Sequence, residues 1–246
     1  MSDPASRQDV DLSRGRERER RALALVPWLR DGDPVTHGLL LRRAWLRRYR
    51  SGESMVRRGE RADGLMVVAA GTVETSSSTA AGRRVVVSYA GPGHVVGLVP
   101  LLDGGGAIHD TRAQEPAEVL WIAPDDFHAA IDADPQMRRR VMRLLAGRTR
   151  RLHRLLVDTA ALPLPVRLAR VLLSLRAALG EPAGPGGGLR LRVSQEGLAA
   201  MLGVPRQRVN AALRTLAEAG VLRMGYLRIE LLDLAALRRC AQEPED

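Results

Sequence analysis

Residues 194–216, SQEGLAAMLGVPRQRVNAALRTL, carry the pattern that decides the C-terminal part of the fold. Ser194 can cap a first helix, although Gly197 stands where a complete capping box needs a carboxylate. Gly203 can adopt the left-handed conformation that ends a helix. Pro205 suits the start of a second helix, because no N–H is needed there. The stretch predicts two short helices separated by a tight turn.

The second predicted helix has a core face and a polar face. Val209, Leu213 and Leu216 are spaced i, i+4 and i+7 and predict the core face. Arginine can hold guanine O6 and N7, and glutamine or asparagine can hold adenine N6 and N7, so the other face has base-reading chemistry. The candidate DNA-contacting residues of this helix are Arg206, Gln207, Arg208, Asn210, Ala211 and Arg214. A helical hairpin with a solvated polar face is the alternative.

A strand-turn-strand pattern over residues 221–231 follows these helices. It contains Arg223 and Arg228, which can contact phosphates. A helix-turn-helix followed by a basic hairpin predicts a winged helix that binds double-stranded DNA.

The charge of the chain is strongly basic, and all of its cations are arginine. The 38 basic residues exceed the 28 acidic ones by 10. Arginine in place of every lysine is typical of GC-rich coding, so arginine content alone is weak evidence for phosphate recognition. The net excess of cations is better evidence for an anionic partner.

The composition also excludes several classes of protein. The one cysteine, Cys240, excludes an intrachain disulfide framework and a cysteine-rich zinc site. The longest apolar stretch, Val95 to Leu102, is far shorter than the ~20 residues of a membrane span. We find no apolar signal segment near the N-terminus. We therefore expect an intracellular, cytoplasmic protein with no membrane partner.

Residues 50–123 predict β structure, because apolar runs alternate with glycines at turn spacing. The predicted strands are Leu65–Ala70, Val85–Tyr89, Val95–Val99 and Glu118–Ile122. Ser76 to Gly82 predicts a hairpin loop. This punctuation indicates an all-β sandwich, barrel or roll.

From Pro135 to about Asp158 the apolar period becomes helical, and no acid lies between Asp134 and Asp158. The apolar stripe is too narrow for a buried core helix, so the helix either packs on its own domain or pairs with its copy in a second subunit. Arg148 falls within the stripe. The candidate dimerisation residues are Met137, Val141, Leu144, Leu145, Leu152 and Leu155.

These patterns divide the chain into four predicted parts. They are a flexible, charged arm at 1–21, a β-rich sensor domain at 22–134, a dimerisation helix at 135–158 and a winged helix-turn-helix domain at 159–246. A helix is expected to begin near Ala22.

An ordered series of motifs from about residue 25 onward resembles the Crp/Fnr family of bacterial transcription regulators. The matching pieces are RRYRSGE at 47–53, RGERADGL at 58–65, GPGHVVG at 91–97, LLDGG at 101–105, PDDF at 124–127 and the winged helix. The resemblance implies an α+β fold: an N-terminal β-roll like a cyclic-nucleotide-binding domain, a long dimerisation helix and a C-terminal winged helix-turn-helix. It also implies a homodimer on an inverted-repeat operator, and RNA polymerase as a further partner.

The β-roll departs from the cAMP-binding members that it resembles. Those members carry a Gly-Glu pair for the ribose and an Arg-Ser pair for the cyclic phosphate, whereas here Gly97 is followed by Leu98. The Arg-Ser positions fall near Ala107 and Ile108, and Arg112 is displaced from them. Without its cation, a phosphate loses a charge-assisted contact. We therefore expect no tight cAMP binding, and the effector stays unknown.

Other chemistries find no support in the sequence. An iron–sulfur sensor needs several cysteines, and His94 and His109 are lone loop histidines rather than a haem site. Gly91 to Gly97 lacks the spacing and the following helix of a dinucleotide loop. No catalytic triad, paired carboxylates or phosphate loop is found, so we expect neither a cofactor nor enzyme activity.

The sequence therefore predicts a sequence-specific transcription regulator. Two alternatives stay open. One is a small-molecule sensor that acts mainly through protein–protein contacts. The other is a constitutive DNA-binding protein that needs no effector.

Overall fold

The structure is a computed structural model that describes residues 16–30, 32–80, 82–183 and 188–242. Residues 16–24 are helical, which is earlier than the expected start near Ala22. The rest of the predicted arm, residues 1–15, lies outside the described residues. Contacts divide the chain into two compact units, each described separately below.

The N-terminal unit comprises the chain up to Thr75 together with Ala90–Leu145, and the C-terminal unit comprises Ser76–Tyr89 and the chain from Ala146. The strands are β1 (Trp45–Tyr49), β2 (Ser54–Val56), β3 (Leu65–Ala70), β4 (Val73–Ser78), β5 (Arg84–Ala90), β6 (Val95–Val96), β7 (Asp110–Ala113), β8 (Ala117–Ile122), β9 (Gly180–Pro182), β10 (Leu189–Leu191), β11 (Leu222–Gly225) and β12 (Arg228–Leu231). The helices are α1 (16–24), α2 (Pro27–Arg30), α3 (Pro34–Leu40), α4 (Leu98–Asp103), α5 (Pro124–Ala133), α6 (Pro135–Ala161), α7 (Leu164–Leu179), α8 (Gln195–Leu202), α9 (Arg206–Glu218) and α10 (Leu234–Cys240).

Strands β3 and β8 are apolar on both faces because each separates two apolar cores. In β8, Leu120 and Ile122 join a core with the N-terminal helices, while Val119 and Trp121 join a second core. Successive side chains of a strand point to opposite faces, which produces this division. The sheet has the order β1-β8-β3-β6, and a second has the order β2-β7-β4-β5. Both are antiparallel where their register is defined.

The predicted strand Val95–Val99 is wrong in its second half. Strand β6 stops at Val96, and α4 begins at Leu98. Gly97 separates the two with φ +85°, a left-handed conformation that breaks a strand. Gly104 ends α4 in the same conformation. The apolar run continued across the break, so its period alone did not show the helix.

The C-terminal unit is built around one apolar core shared by α7, the helix-turn-helix and the wing. The third sheet has the order β11-β12-β10-β9. Val86 and Tyr89 of β5 belong to the same core. A Cβ on Gly197 would lie 2.7 Å from the Tyr89 hydroxyl, so this glycine lets α8 approach β5 closely. That contact gives a packing reason for the incomplete capping box.

Candidate nucleic-acid interface

The two helices of the predicted helix-turn-helix form as the sequence indicates, α8 over Gln195–Leu202 and α9 over Arg206–Glu218. The Ser194 hydroxyl accepts the Gly197 N–H at 2.9 Å and caps α8. Gly203 ends α8 with φ +68° and ψ +28°. Pro205 is the N-cap residue of α9 rather than its first helical residue. This turn presents the first residues of α9 at the surface.

The core face of α9 is buried and its opposite face is exposed. Val209, Leu213 and Leu216 are buried in the shared core. The exposed residues among the predicted DNA contacts are Arg206, Gln207, Arg208, Ala211 and Arg214. The structure therefore leaves five of the six predicted contacts of this helix exposed.

Asn210 is the exception among the predicted contacts. It is half-buried, and its side-chain amide donates a hydrogen bond to Gln195 Oε1 at 3.2 Å. This bond fixes α9 against α8, so the structure gives Asn210 a positioning role within the module. Sequence analysis missed Gln195 because the contact joins residues 15 positions apart.

The wing is a hairpin of β11 and β12 that carries both predicted arginines on its exposed surface. Arg223 Nη1 lies 3.5 Å from Glu230 Oε2, and Arg190 Nη2 lies 3.2 Å from Glu230 Oε1. Arg223 is thus partly neutralised, whereas Arg228 forms no ion pair or side-chain hydrogen bond within the described residues. Arg228 is the stronger candidate for a phosphate contact.

Two further residues of the wing, Tyr226 and Leu227, occupy its tip. Their side chains are 90% and 58% exposed. Neither residue was among the predicted DNA contacts, because that prediction rested on the arginines of the wing. The signal that could have found them is an aromatic residue in a hairpin turn, where glycine, asparagine and aspartate are usual.

The arginines on the exposed face of α9 have no ionic partners among the described residues. The side chains of Arg206, Arg208 and Arg214, like that of Arg228, form no ion pair or hydrogen bond within the part of the chain that the structure describes. Other arginines of this unit pair with carboxylates of neighbouring elements, as Arg170 of α7 does with Asp158 of α6. Arginines that are exposed and unneutralised can exchange solvent for phosphate without breaking an internal contact.

The five residues predicted at the ligand pocket of the β-roll differ in their burial and in their contacts. Gly97 caps α4, and Leu98 is 1% exposed in the apolar core. Ala107 is buried, and its backbone is held by Gly59 and Glu60, whereas Ile108 is 48% exposed. None of these four supplies a polar side chain.

Arg112, the fifth residue, forms a paired contact with a buried carboxylate. Its Nε lies 3.1 Å from Glu74 Oε1, and its Nη2 lies 3.3 Å from Glu74 Oε2. The Glu74 side chain is fully buried. Two nitrogens of Arg112 are therefore engaged with Glu74.

In comparison with known proteins, each half of the chain matches the model of a protein family. The Crp-like helix-turn-helix domain matches residues 166–240, and the cyclic nucleotide-binding domain matches residues 46–134. The chain belongs to the Crp/Fnr family of regulators.

Two relatives extend the match over most of this Crp/Fnr regulator. It is 29% identical to the cyclic AMP receptor protein of Thermus thermophilus, over 85% of this chain and 97% of the relative. It is 28% identical to the HTH-type transcriptional regulator Cmr of Mycobacterium tuberculosis, over 80% and 76% of the two chains. The fold is also that of FixK2 from Bradyrhizobium japonicum, with a TM-score of 0.71 and 23% identity over 82% of this chain and 98% of the other.

Crp/Fnr regulators bind DNA and usually act as dimers, so α6 is the element to inspect for a subunit contact. It runs over Pro135–Ala161, three residues beyond the predicted end. Met137 and Val141 are 0% and 4% exposed in the core of their own unit. The prediction that these two contact a second chain is therefore wrong, because their surfaces are already covered.

The remaining dimerisation residues divide along the helix. Leu144 and Leu145 are partly buried against the N-terminal core. Leu152 and Leu155 are 60% and 46% exposed. Burial lowers the pKa of Arg148 within the same stripe, and the charge of Arg151 adds to that effect. Of the predicted dimerisation residues, Leu152 and Leu155 in the second half of α6 are thus the two that offer exposed apolar surface to a partner.

No helix among the described residues is long and apolar enough to cross a membrane. No group of three or more histidine, cysteine, aspartate or glutamate side chains among them is placed to hold a metal ion.

Proposed function

We propose that this Crp/Fnr regulator is a sequence-specific DNA-binding protein that acts as a homodimer on an inverted-repeat operator. The observation that carries the proposal is the exposed start of α9, where Gln207 lies between Arg206 and Arg208, two arginines whose side chains form no ion pair among the described residues. The position at the first turn of the second helix suits insertion into the major groove. A two-fold dimer then requires two half-sites about one helical turn apart.

The exposed residues of α9 have different expected roles. Arg206 and Gln207 contact base edges, and Arg208 contacts a phosphate. Ala211 can touch a thymine methyl group but cannot donate a hydrogen bond. RNA polymerase is a further expected partner, and the site of action is the cytoplasm, where both partners meet.

Single substitutions on the exposed face separate these roles. On the preferred operator, Arg206→Ala and Gln207→Ala should each lower affinity by about 5- to 150-fold. The loss should disappear on operators in which the base pair contacted by the substituted residue has been changed. Arg208→Ala should weaken binding to all sequences similarly and reduce the slope of log affinity against log salt by about one. Arg50→Ala, which removes an exposed arginine of the N-terminal unit, is the charge-matched control. Gel-shift series at several salt concentrations give both quantities.

One outcome of these assays would count against the proposal. An equal loss across all sequences for Gln207→Ala would remove the base-reading role of α9. Binding that falls equally in the Arg50→Ala control would mean that net charge, rather than this face, holds the DNA.

We further propose that the β-roll does not bind cAMP tightly and that the protein needs no cofactor. The relative from Thermus thermophilus is named as a cyclic AMP receptor protein, but the positions considered above supply a buried Leu98 and an Arg112 engaged with Glu74. Titration calorimetry with cAMP should detect no binding with a dissociation constant below about 1 µM, which corresponds to ~8 kcal/mol. A tighter complex would contradict the proposal.

Two other functions remain as outcomes of the same experiments. A sensor that acts mainly through protein–protein contacts would select no palindromic sequence from random DNA. A constitutive DNA-binding protein would select one, but no nucleotide, haem or metabolite would shift its melting temperature. The exposed arginines of α9, whose side chains form no ion pair among the described residues, favour DNA binding over a function that acts mainly through protein–protein contacts.

A further inference from the structure

The tip of the wing exposes two large apolar side chains. The hairpin of β11 and β12 closes through the two residues Tyr226 and Leu227, which are 90% and 58% exposed. Tyr226 is the most exposed of the large hydrophobic residues that the structure describes. Single exposed apolar residues are ordinary, but here two are adjacent at the end of a projecting hairpin.

The backbone at this tip is unfavourable for the residue that it carries. Leu227 has φ +52°, in the left-handed region that glycine, asparagine and aspartate occupy most easily. A β-hairpin turn with a bulky residue there is less stable than the same turn with glycine. An exposed leucine on a strained backbone gains nothing from packing within its own chain, so it points to a contact outside it.

The tip lies beside the start of the recognition helix α9. Tyr226, Leu227 and Arg228 line one cleft together with Arg206 of α9 and Gln195 of α8. Gly225 pairs with Arg228 across the hairpin, and a Cβ there would lie 2.8 Å from Arg228 Nε. The glycine therefore leaves room for the arginine stem beside the tip, so apolar side chains and cations share one surface.

This combination fits the sugar-phosphate edge of a duplex and the groove beside it. Cations on both sides of the cleft can hold phosphates, while an aromatic ring and a leucine can pack on deoxyribose and the floor of the minor groove. The minor groove shows only the difference between A·T and G·C pairs, together with its width.

We propose that Tyr226 and Leu227 contact the minor groove next to each half-site and favour A·T-rich flanking DNA. The inference rests on the proposed function, because α9 must sit in the adjacent major groove. It adds a second sequence preference, outside the base pairs that α9 reads.

The first test separates an apolar contact from an ionic one. On the operator selected from random duplexes, Tyr226→Ala should weaken binding about tenfold, or about 1.4 kcal/mol, and leave the salt slope unchanged. Arg228→Ala is the matched control, since the loss of one phosphate contact should flatten the slope by about one. Unchanged affinity for Tyr226→Ala, or a flattened slope, would overturn the inference.

The second test identifies the groove. Three operators differ only in their flanks, which contain A·T, G·C or inosine·cytosine pairs. Inosine·cytosine matches A·T in the minor groove, because it lacks the guanine amino group, but resembles G·C in the major groove. The wild-type protein should bind the A·T and inosine·cytosine operators about equally and the G·C operator at least threefold more weakly. Tyr226→Ala should bind all three alike.

The third variant excludes a purely structural role for the tip. Leu227→Gly relieves the left-handed strain, so the variant should melt at the same or a higher temperature, yet bind the A·T-flanked operator more weakly. Weaker binding together with a lower melting temperature would contradict the proposed contact.

The failure of this inference can be told from the failure of the proposed function. If random duplexes yield no enriched sequence, both proposals fail. If an operator is enriched and α9 variants lose affinity for it, but the three flanks bind alike, only the role of the wing tip is wrong.

Discussion

Asp126 is the residue in the N-terminal unit with the most concentrated set of charged contacts. Its side chain is fully buried and accepts bonds from Arg42 Nε at 2.9 Å and from the Arg43 backbone N–H at 3.0 Å. Burial alone would raise the pKa of Asp126, but the hydrogen bonds from Arg43 and Arg42 outweigh it and lower the pKa overall. The carboxylate therefore ties the start of α5 to the loop before β1.

Replacing this carboxylate should destabilise the protein markedly. Asp126→Asn should lower the free energy of unfolding by about 2 kcal/mol, less than for a fully buried pair, because both arginines are half-exposed and can be hydrated. Asp125→Asn is the control, since Asp125 is 81% exposed and contacts Arg43 only at the surface. It should cost less than about 0.5 kcal/mol. Urea unfolding measures both, and equal losses would contradict the role of Asp126.

The same residue should make stability depend on pH in the acid range. Because its pKa is lower in the folded than in the unfolded chain, its contribution is full above the ordinary value of about 3.9 and is lost as the pH falls through the folded value. The difference in stability between the wild type and Asp126→Asn should therefore stay constant above about pH 4 and narrow as the pH falls below that value. Parallel curves of unfolding free energy would contradict this expectation.

At the scale of elements, the end of helix α8 depends on the backbone conformation of one glycine, Gly203. Gly203 has φ +68° at the end of α8, and a Cβ there would meet only Arg83 at 3.9 Å. Gly147 lies within α6, and nothing lies within 4 Å of a Cβ at that position. Space is available at both glycines, so the backbone conformation decides the effect of a side chain.

Alanine at these two positions should have opposite effects. Gly203→Ala should destabilise by about 1 kcal/mol, because a Cβ is unfavourable in the left-handed region. Gly147→Ala should stabilise by about 0.5–1 kcal/mol, because alanine favours a helix interior more than glycine does. Thermal unfolding gives both signs. A stabilising Gly203→Ala would mean that the turn between α8 and α9 tolerates another conformation.

Helix α6 provides the element-scale test of the proposed dimer. Leu152 and Leu155 lie on the stripe that continues from Val141, while Val157 lies on the far side of the helix at 100° per residue. The double variant Leu152→Ala/Leu155→Ala should raise the dimer dissociation constant at least about 100-fold, because two anchors are lost from each subunit. Val157→Ala should leave it unchanged. Analytical ultracentrifugation measures both, and an unaltered dimer in the double variant would place the interface elsewhere.

Sequence patterns predicted elements where one periodicity dominated. Leu65–Ala70 has the predicted bounds, and the two helices of the helix-turn-helix were recognised from their cap, glycine and proline. Strands β1, β4 and β7 were missed because they carry many polar residues. Glu74 of β4 and Arg112 of β7 are tolerated in the sheet because they pair with each other, and a contact 38 residues apart leaves no local pattern.

The same limit applies to the candidate DNA interface. The exposure of Gln207 follows from helical spacing, because it lies opposite Val209 and Leu213. Arg206 lies nearer the core edge on an ideal helix, and it is exposed because it begins the first turn of α9. The bond from Asn210 to Gln195 and the strained, exposed Leu227 depend on how elements meet in space. For the same reason, the long stripe of α6 did not reveal that its first half packs on its own unit.

At the scale of the whole molecule, the arginines fall into two groups, one exposed and unpaired and one paired with carboxylates. On α9 and the wing, Arg206, Arg208, Arg214 and Arg228 are exposed and form no internal ion pair within the described residues. Arg42, Arg43 and Arg112 instead neutralise carboxylates inside the N-terminal unit. The arginine content therefore reflects both internal pairing, which adds no net charge, and a surface that suits phosphate, and only the second part should contribute to the salt dependence of binding.

Selection of bound duplexes from a random DNA pool is the most direct measurement of the proposed function. The wild-type protein should enrich an inverted repeat whose half-sites are centred about one helical turn, roughly 10 base pairs, apart. Gln207→Ala should change the preferred base at the same position of both half-sites. Enrichment of no sequence, or of a single unrepeated half-site, would contradict a dimeric regulator that reads DNA through α9.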